Sequence, residues 1–247
     1  MKIITSTQNI EIKSVAALQT KQERAERGMF VAEGARVCAA LVASSVRLIQ
    51  LYATENSLQS AREMTTENNI TLISDDVLKK ISGTKSPSGL VGVFKIPKHP
   101  RADQLSSGIV LAEIADPGNM GTLIRTAAAL GSRSVVVIKG ADVWSPKVIQ
   151  ATAGTIGQVD IFQWDWSELL EHKQNIQLCA LVVHGGRPPH KVAMTDMLLV
   201  IGNEAHGLPK DWIAVCEHTM TLPMPGAAES MNAAVAGSIA LYLSKIN

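Results

Sequence analysis

The chain has 247 residues, 46% of them hydrophobic and 18% charged, with a formal net charge of +1. This composition reads as a soluble globular protein able to bury a sizeable core, in one large domain or two modest ones. No apolar run reaches the ~18 residues of a membrane span and the opening MKIITSTQNIEIK lacks a signal-peptide core, so a cytoplasmic protein without a membrane partner is expected.

The charge is uneven: residues 1–103 carry 14 basic against 10 acidic groups, and residues 104–247 carry 9 against 12. A basic first part suits a polyanion-facing module or an ordinary solvated surface. Cys38, Cys179 and Cys216 are odd in number and widely spaced, which points to reduced core thiols rather than a disulfide framework or zinc site.

In chain order, SVAALQTKQERAERG has helical spacing with Gly28 at its end, and ARVCAALVAS is a second helix. VRLIQLYAT and NITLIS read as short strands, and the apolar run GLVGVF closes a small mixed α/β domain, residues 1–98. A linker follows within KIPKHPRADQLSSG, where prolines and polar residues cluster. The second domain, residues 104–247, alternates: strand GIVLAEIA, helix NMGTLIRTAAAL, strand SVVVIKG, and then a helix from SPKVIQ, capped by Ser145 with Pro146 first. Strand VDIFQW, helix SELLEHKQ and strands LCALVVHGG and LLVIGNEAHGL come next; helix KDWIAVC, strand HTMTLPMP and a closing helix complete it. Continuous apolar strands alternating with helices imply a mostly parallel sheet covered on both faces.

In such sheets ligands gather beyond the carboxyl ends of strands. Three segments there combine Gly or Pro with Asn, Glu or Ser: DPGNMGTLIRT, GNEAHGLP and PMPGAAESMN. Each is also a plausible turn by itself. No dinucleotide fingerprint, phosphate loop, nucleophile elbow or paired histidine spacing is present, so no metal site is expected and the chemistry is assigned to a bound small molecule.

DPGNMGTLIRTAAALG, VIGNEAHGLP and LPMPGAAESMNAAVAGSIALYL resemble, in order, the three motifs of the SpoU (TrmH-like) branch of the SPOUT RNA methyltransferases. STQNIEIKSVAALQTKQERAERGMFVAEGARV and LKKISGTKSPSGLVGVF are similar to the ribosomal-protein-like RNA-binding domain that precedes many of them. The resemblance implies an α/β fold with a trefoil knot in the C-terminal domain, a homodimer, S-adenosylmethionine as cofactor, and methylation of a ribose 2'-hydroxyl in RNA, ribosomal RNA favoured and tRNA possible. A base-directed knotted methyltransferase and a non-catalytic RNA-binding or ribosome-assembly protein are the alternatives.

Carried over by position, the resemblance assigns catalysis to Asn119, Arg125, Glu204, Ser230 and Asn232, and cofactor binding to Ile201, Gly202, Leu222, Met231 and Asn232. Met231 replaces the commoner Leu, a volume-conserving change. Arg125 is expected to bind RNA phosphate and orient the 2'-hydroxyl, because a guanidinium stays protonated in proteins; Glu204 positions polar groups or serves as the base. Ser230 as a helix N-cap and Asn232 as a first-turn residue remain an alternative to cofactor contact. Lys13, Lys21, Arg24 and Arg27 fall in one helical region and are the RNA-binding candidates, although a solvated helix face would have the same sequence.

Overall fold

Two separate sheets form in the computed structural model, which describes residues 1–84, 86–192, 196–226 and 230–246. The chain divides into two compact units, Met1–Lys98 with Asp142–Gly157, and His99–Ala141 with Gln158–Asn247. The helix that begins at Pro146 therefore packs in the first unit, although the sequence reading placed its residues in the second domain.

The first unit contains β1 (Lys2–Ile4), α1 (Ile10–Ala17), α2 (Lys21–Arg27), β2 (Met29–Glu33), α3 (Ala35–Ala43), β3 (Leu48–Ala53), α4 (Leu58–Met64), β4 (Ile70–Ile73), α5 (Asp75–Ile81) and β5 (Leu90–Lys95). Its five strands lie in the order β1-β4-β3-β5-β2, parallel where β4 pairs with β1 and β3, and antiparallel on both sides of β5. The single helix expected over SVAALQTKQERAERG is two. Thr20 leaves helical geometry and its hydroxyl accepts from the Glu23 N–H at 3.4 Å, which caps α2. Gly28 ends α2 at φ 59°, a left-handed turn that glycine adopts without a Cβ penalty. Ile12, Val15 and Leu18 recur every three residues and are buried against Val77, Leu78 and Ile81 of α5.

The second unit contains β6 (Gly108–Ala112), α6 (Pro117–Ala129) and β7 (Ser134–Ile138); α7 (Pro146–Thr152) belongs to the first unit. It continues with β8 (Asp160–Gln163), α8 (Trp166–His172), β9 (Gln177–Leu181), β10 (Met197–Ile201), α9 (Lys210–Ala214), β11 (His218–Met220) and α10 (Ala233–Ile246). All six strands are parallel, in the order β11-β9-β10-β6-β7-β8. Every residue of β6, β7 and β10 is buried, which explains their unbroken apolar sequences.

One sheet face, with Val110, Val136, Leu178 and Val200, packs against Leu169, Trp164, Trp166 and Trp212 of the α8 and α9 layer. On the other face α6 buries Met120, Leu123, Ile124 and Ala127, each large side chain contributing about 1.5–3 kcal/mol. There α10 packs on α6 and β10. A Cβ on Gly237 would stand 2.6 Å from Leu123 Cδ2 and 2.7 Å from Ile201 Cδ1, so a branched residue there would force the helix off the sheet. From β6 the chain progresses outward to β7 and β8, then returns on the other side through β9 and β10. The switch point, where ligand crevices open, thus lies between β6 and β10.

Candidate active site

The exits of β6 and β10 meet at that switch point. Asp116 caps α6, its Oδ1 accepting from the Asn119 N–H at 2.8 Å, and Pro117 occupies the first turn without losing a needed donor. The cap leaves the N–H groups of Ala115 and Asp116 facing outward, and both donate to Glu204, at 3.1 Å to Oε2 and 3.1 Å to Oε1. Asn119 Nδ2 adds a third bond to Glu204 Oε1 at 2.9 Å, while its own Oδ1 accepts from Asn232 Nδ2 at 3.0 Å. Burial alone would raise the Glu204 carboxyl, but the Asn119 amide and the surrounding backbone N–H groups outweigh it and hold Glu204 below the usual carboxylate range.

Asn232 also caps α10, its Oδ1 accepting from Ala234 N–H at 2.9 Å and Val235 N–H at 3.2 Å. This corrects the cap reading: Asn232, not Ser230, is the capping residue. Residues 227–229, inside the third motif, lie outside the described residues.

Beside this chain of amides is a cavity of about 340 Å³, within the roughly 300–1,000 Å³ of small-molecule pockets. It is lined by Leu181, Val182, Ile201, Leu222, Met224 and Met231 as an apolar wall, with Glu204 and Ser230 as polar groups. Gly202 forms part of the wall, and a Cβ on it would stand 2.5 Å from the Gly207 carbonyl carbon and 2.7 Å from Leu208 N. Only glycine lets the two backbone stretches approach so closely.

Of the residues assigned from the motifs, Ile201, Gly202, Leu222, Ser230, Met231 and Glu204 line the cavity. Asn119 and Asn232 are bonded to its edge through Glu204, with Asn232 bracing Asn119 from the start of α10. Arg125 is exposed on α6 and stands outside the lining. Sequence reasoning passed over Asn203, which turns back on the β6 exit, and did not count His206, which lines the cavity. The Gly-Asn-Glu step directly after a buried strand was the available signal.

In the first unit the RNA-binding candidates separate. Lys13 and Lys21 are exposed. Arg24 is buried, with Nε donating to Asp142 Oδ2 at 3.1 Å and Nη1 to the Leu18 carbonyl at 2.7 Å. This corrects its assignment: a buried guanidinium must be paired inside and cannot meet phosphate. Arg27 is also engaged, donating to the Ser14 carbonyl at 3.0 Å and lying 2.7 Å from Glu23 Oε2. The thiols of Cys38 and Cys179 are buried and Cys216 is half-buried; burial raises Cys38 to about 12, leaving it an inert core thiol.

A crevice at the switch point of an all-parallel sheet, with an apolar wall and a fixed carboxylate, defines an α/β protein that binds a small molecule at its strand exits. The chain belongs to the SpoU rRNA methylase family, whose model matches residues 106–242, and residues 9–92 match the MRM3-like substrate binding domain. A 23S rRNA (uridine(2479)-2'-O)-methyltransferase of Streptomyces viridochromogenes is 30% identical over 92% of this chain and 86% of its own length. The 23S rRNA (guanosine(2553)-2'-O)-methyltransferase RlmP of Bacillus subtilis is 24% identical over 98% of both chains. The solved structure of the SpoU methyltransferase AviRb from Streptomyces viridochromogenes, in complex with AdoMet, is 26% identical and superimposes with a TM-score of 0.84 over 96% of this chain and 97% of that one.

Proposed function

We propose that the protein transfers a methyl group from S-adenosylmethionine to a ribose 2'-hydroxyl of ribosomal RNA. The observation that carries the reading is the Glu204–Asn119–Asn232 chain at the edge of the cavity, built from one residue of each motif. The cavity fits the cofactor: its apolar wall suits the adenine and the Glu204 carboxylate in its lining suits a sulfonium cation. When bound, S-adenosylmethionine supplies a methyl group already activated by positive charge. The protein then has to hold and orient. Three donors from the β6 exit and Asn119 fix the Glu204 carboxylate and take three of its roughly four acceptor sites, so we assign it a positioning role. Backbone at Ile201, Gly202 and Leu222, with the Met231 side chain, holds the cofactor; Ser230 faces the reacting sugar; Arg125 binds phosphate and orients the 2'-hydroxyl. Lys13 and Lys21 contact the RNA backbone.

The names of the relatives and the match to an MRM3-like substrate binding domain favour ribosomal RNA over tRNA. A trefoil knot is supported by α10 packing against β10 and against the turn Pro189–Lys191 of the β9–β10 connection. A homodimer is supported by Val235, Ile239 and Tyr242, which leave an exposed apolar stripe on α10. The bacterial relatives favour work in the cytoplasm. No helix among the described residues is long and apolar enough to cross a membrane.

The test is transfer of labelled methyl from S-adenosylmethionine to unmodified ribosomal RNA. Alkali-resistant label that disappears in Arg125→Ala and Asn232→Ala supports the reading. A folded wild type that neither binds the cofactor nor labels any RNA overturns it.

A further inference from the structure

Glu113, the residue after β6, has φ 59°, and Lys139, the residue after β7, has φ 55°. A left-handed backbone is unfavourable for a residue with a Cβ and persists where the surroundings impose it. The two kinks brace each other. Glu113 N–H donates to the Ile138 carbonyl at 2.8 Å, Ala141 N–H donates to the Ile114 carbonyl at 2.9 Å, and Lys139 Nζ lies 3.3 Å from Glu113 Oε1.

The third brace comes from the β10 exit. Asn203 Nδ2 donates to the Glu113 carbonyl at 2.8 Å, and its Oδ1 accepts from the N–H groups of Ala205 at 2.8 Å and His206 at 3.2 Å. The Asn203 carbonyl accepts from Gly207 N–H at 2.9 Å and closes the turn. One side chain thus shapes the 203–207 wall of the cavity and ties it to the kink. Two and three residues past the kink are the N–H groups that receive Glu204. The position needs a donor on one side and an acceptor on the other, which an amide supplies and a carboxylate does not.

We propose that Asn203 is a positioning residue for methyl-donor binding: by holding the Glu113 carbonyl it fixes the Gly202–Gly207 wall and aims the Ala115 and Asp116 N–H groups at Glu204. This rests on the cavity being the S-adenosylmethionine site.

The experiment measures S-adenosylmethionine binding by calorimetry, without RNA, for the full-length wild type, Asn203→Asp and Asn203→Ala, with RNA affinity and thermal melting recorded alongside. Asn203→Asp keeps the shape and the two acceptor bonds but turns a carboxylate oxygen toward a carbonyl. It is expected to weaken cofactor binding at least tenfold at pH 8, with RNA affinity within twofold of wild type.

As pH falls from 8 to 5.5, the ratio of its dissociation constant to that of wild type is expected to shrink, because a protonated carboxyl donates as the amide did. Asn203→Ala is expected to show no such recovery. The titratable and charged groups around the position are Glu113 and Lys139 at the strand exits and Glu204 and His206 on its own turn; they are common to all three proteins, so the ratio isolates residue 203. A wild type that binds while Asn203→Asp binds equally well overturns the proposal alone. Equal losses in both variants at every pH also overturn it, leaving Asn203 as packing. A folded wild type that does not bind overturns the cofactor site itself.

Discussion

Asn119 donates from its side-chain amide to Glu204 Oε1 at 2.9 Å, joining the first turn of α6 to the exit of β10 across 85 residues of chain. A hydrogen bond to a charged group is worth about 1.5–3 kcal/mol. Asn119→Asp exchanges the donor for a second carboxylate and is expected to slow single-turnover methyl transfer by roughly 10- to 100-fold, since 1.4 kcal/mol is a factor of about ten. Asn119→Ala should lose less. Equal rates for the three proteins would show that the contact does not serve the reaction.

The same carboxylate gives a pH signature. The folded-state pKa of Glu204 is held below its ordinary value, so its contribution to stability is present above the unfolded-state value, about 4.3. That contribution is lost as pH falls through the lower folded-state value. Melting temperature followed from pH 7 to pH 3 should therefore fall less steeply in Glu204→Gln than in wild type. Superimposable profiles would contradict the cradle.

Basic residues of the first unit should divide into two kinds. Asp142→Ala strands the buried Arg24 charge and is expected to cost about 3–5 kcal/mol of stability. Lys13→Ala and Lys21→Ala should leave the melting temperature alone and weaken RNA binding uniformly, each lowering the salt slope by about 1. Denaturant titration and filter binding over a salt series distinguish the two groups.

Gly202→Ala puts a methyl group 2.5 Å from the Gly207 carbonyl carbon. The wall must shift into the cavity, and S-adenosylmethionine affinity should fall by at least tenfold while RNA binding persists. Undiminished affinity would mean that the cofactor lies elsewhere.

Ile239→Lys places a charge in the exposed stripe of α10. Sedimentation velocity should show a dimer for wild type and a monomer for the variant. A wild type that is monomeric at all concentrations would refute the stripe as an interface.

Much of this was legible in the sequence because buried parallel strands leave continuous apolar runs: Ser134–Ile138 reads as a strand and is one. The motif loops, too, were found from their glycines and prolines at strand ends. What sequence could not give was the partner of each polar side chain. Arg24 sits in a helical repeat with Lys21 and Arg27 and looks solvated; it is buried by Asp142, 118 residues away. The bond from Asn232 to Asn119 is another such pairing, set by how α10 docks. β1 escaped notice because its three residues are too few to show a period.

The assignment of Asp142–Gly157 to the first unit fixes an order of events during synthesis. Phe30 of β2 packs on Trp144, with ring centroids 5.2 Å apart, and a Cβ on Gly154 would stand 2.7 Å from the Val37 carbonyl of α3. As the nascent chain emerges, β6, α6 and β7 leave the ribosome before the segment that completes the first unit. A fragment ending at Lys98 would expose Phe30 and the α3 surface at Val37 that the 142–157 segment covers, making it a poor candidate for expression as an isolated RNA-binding module.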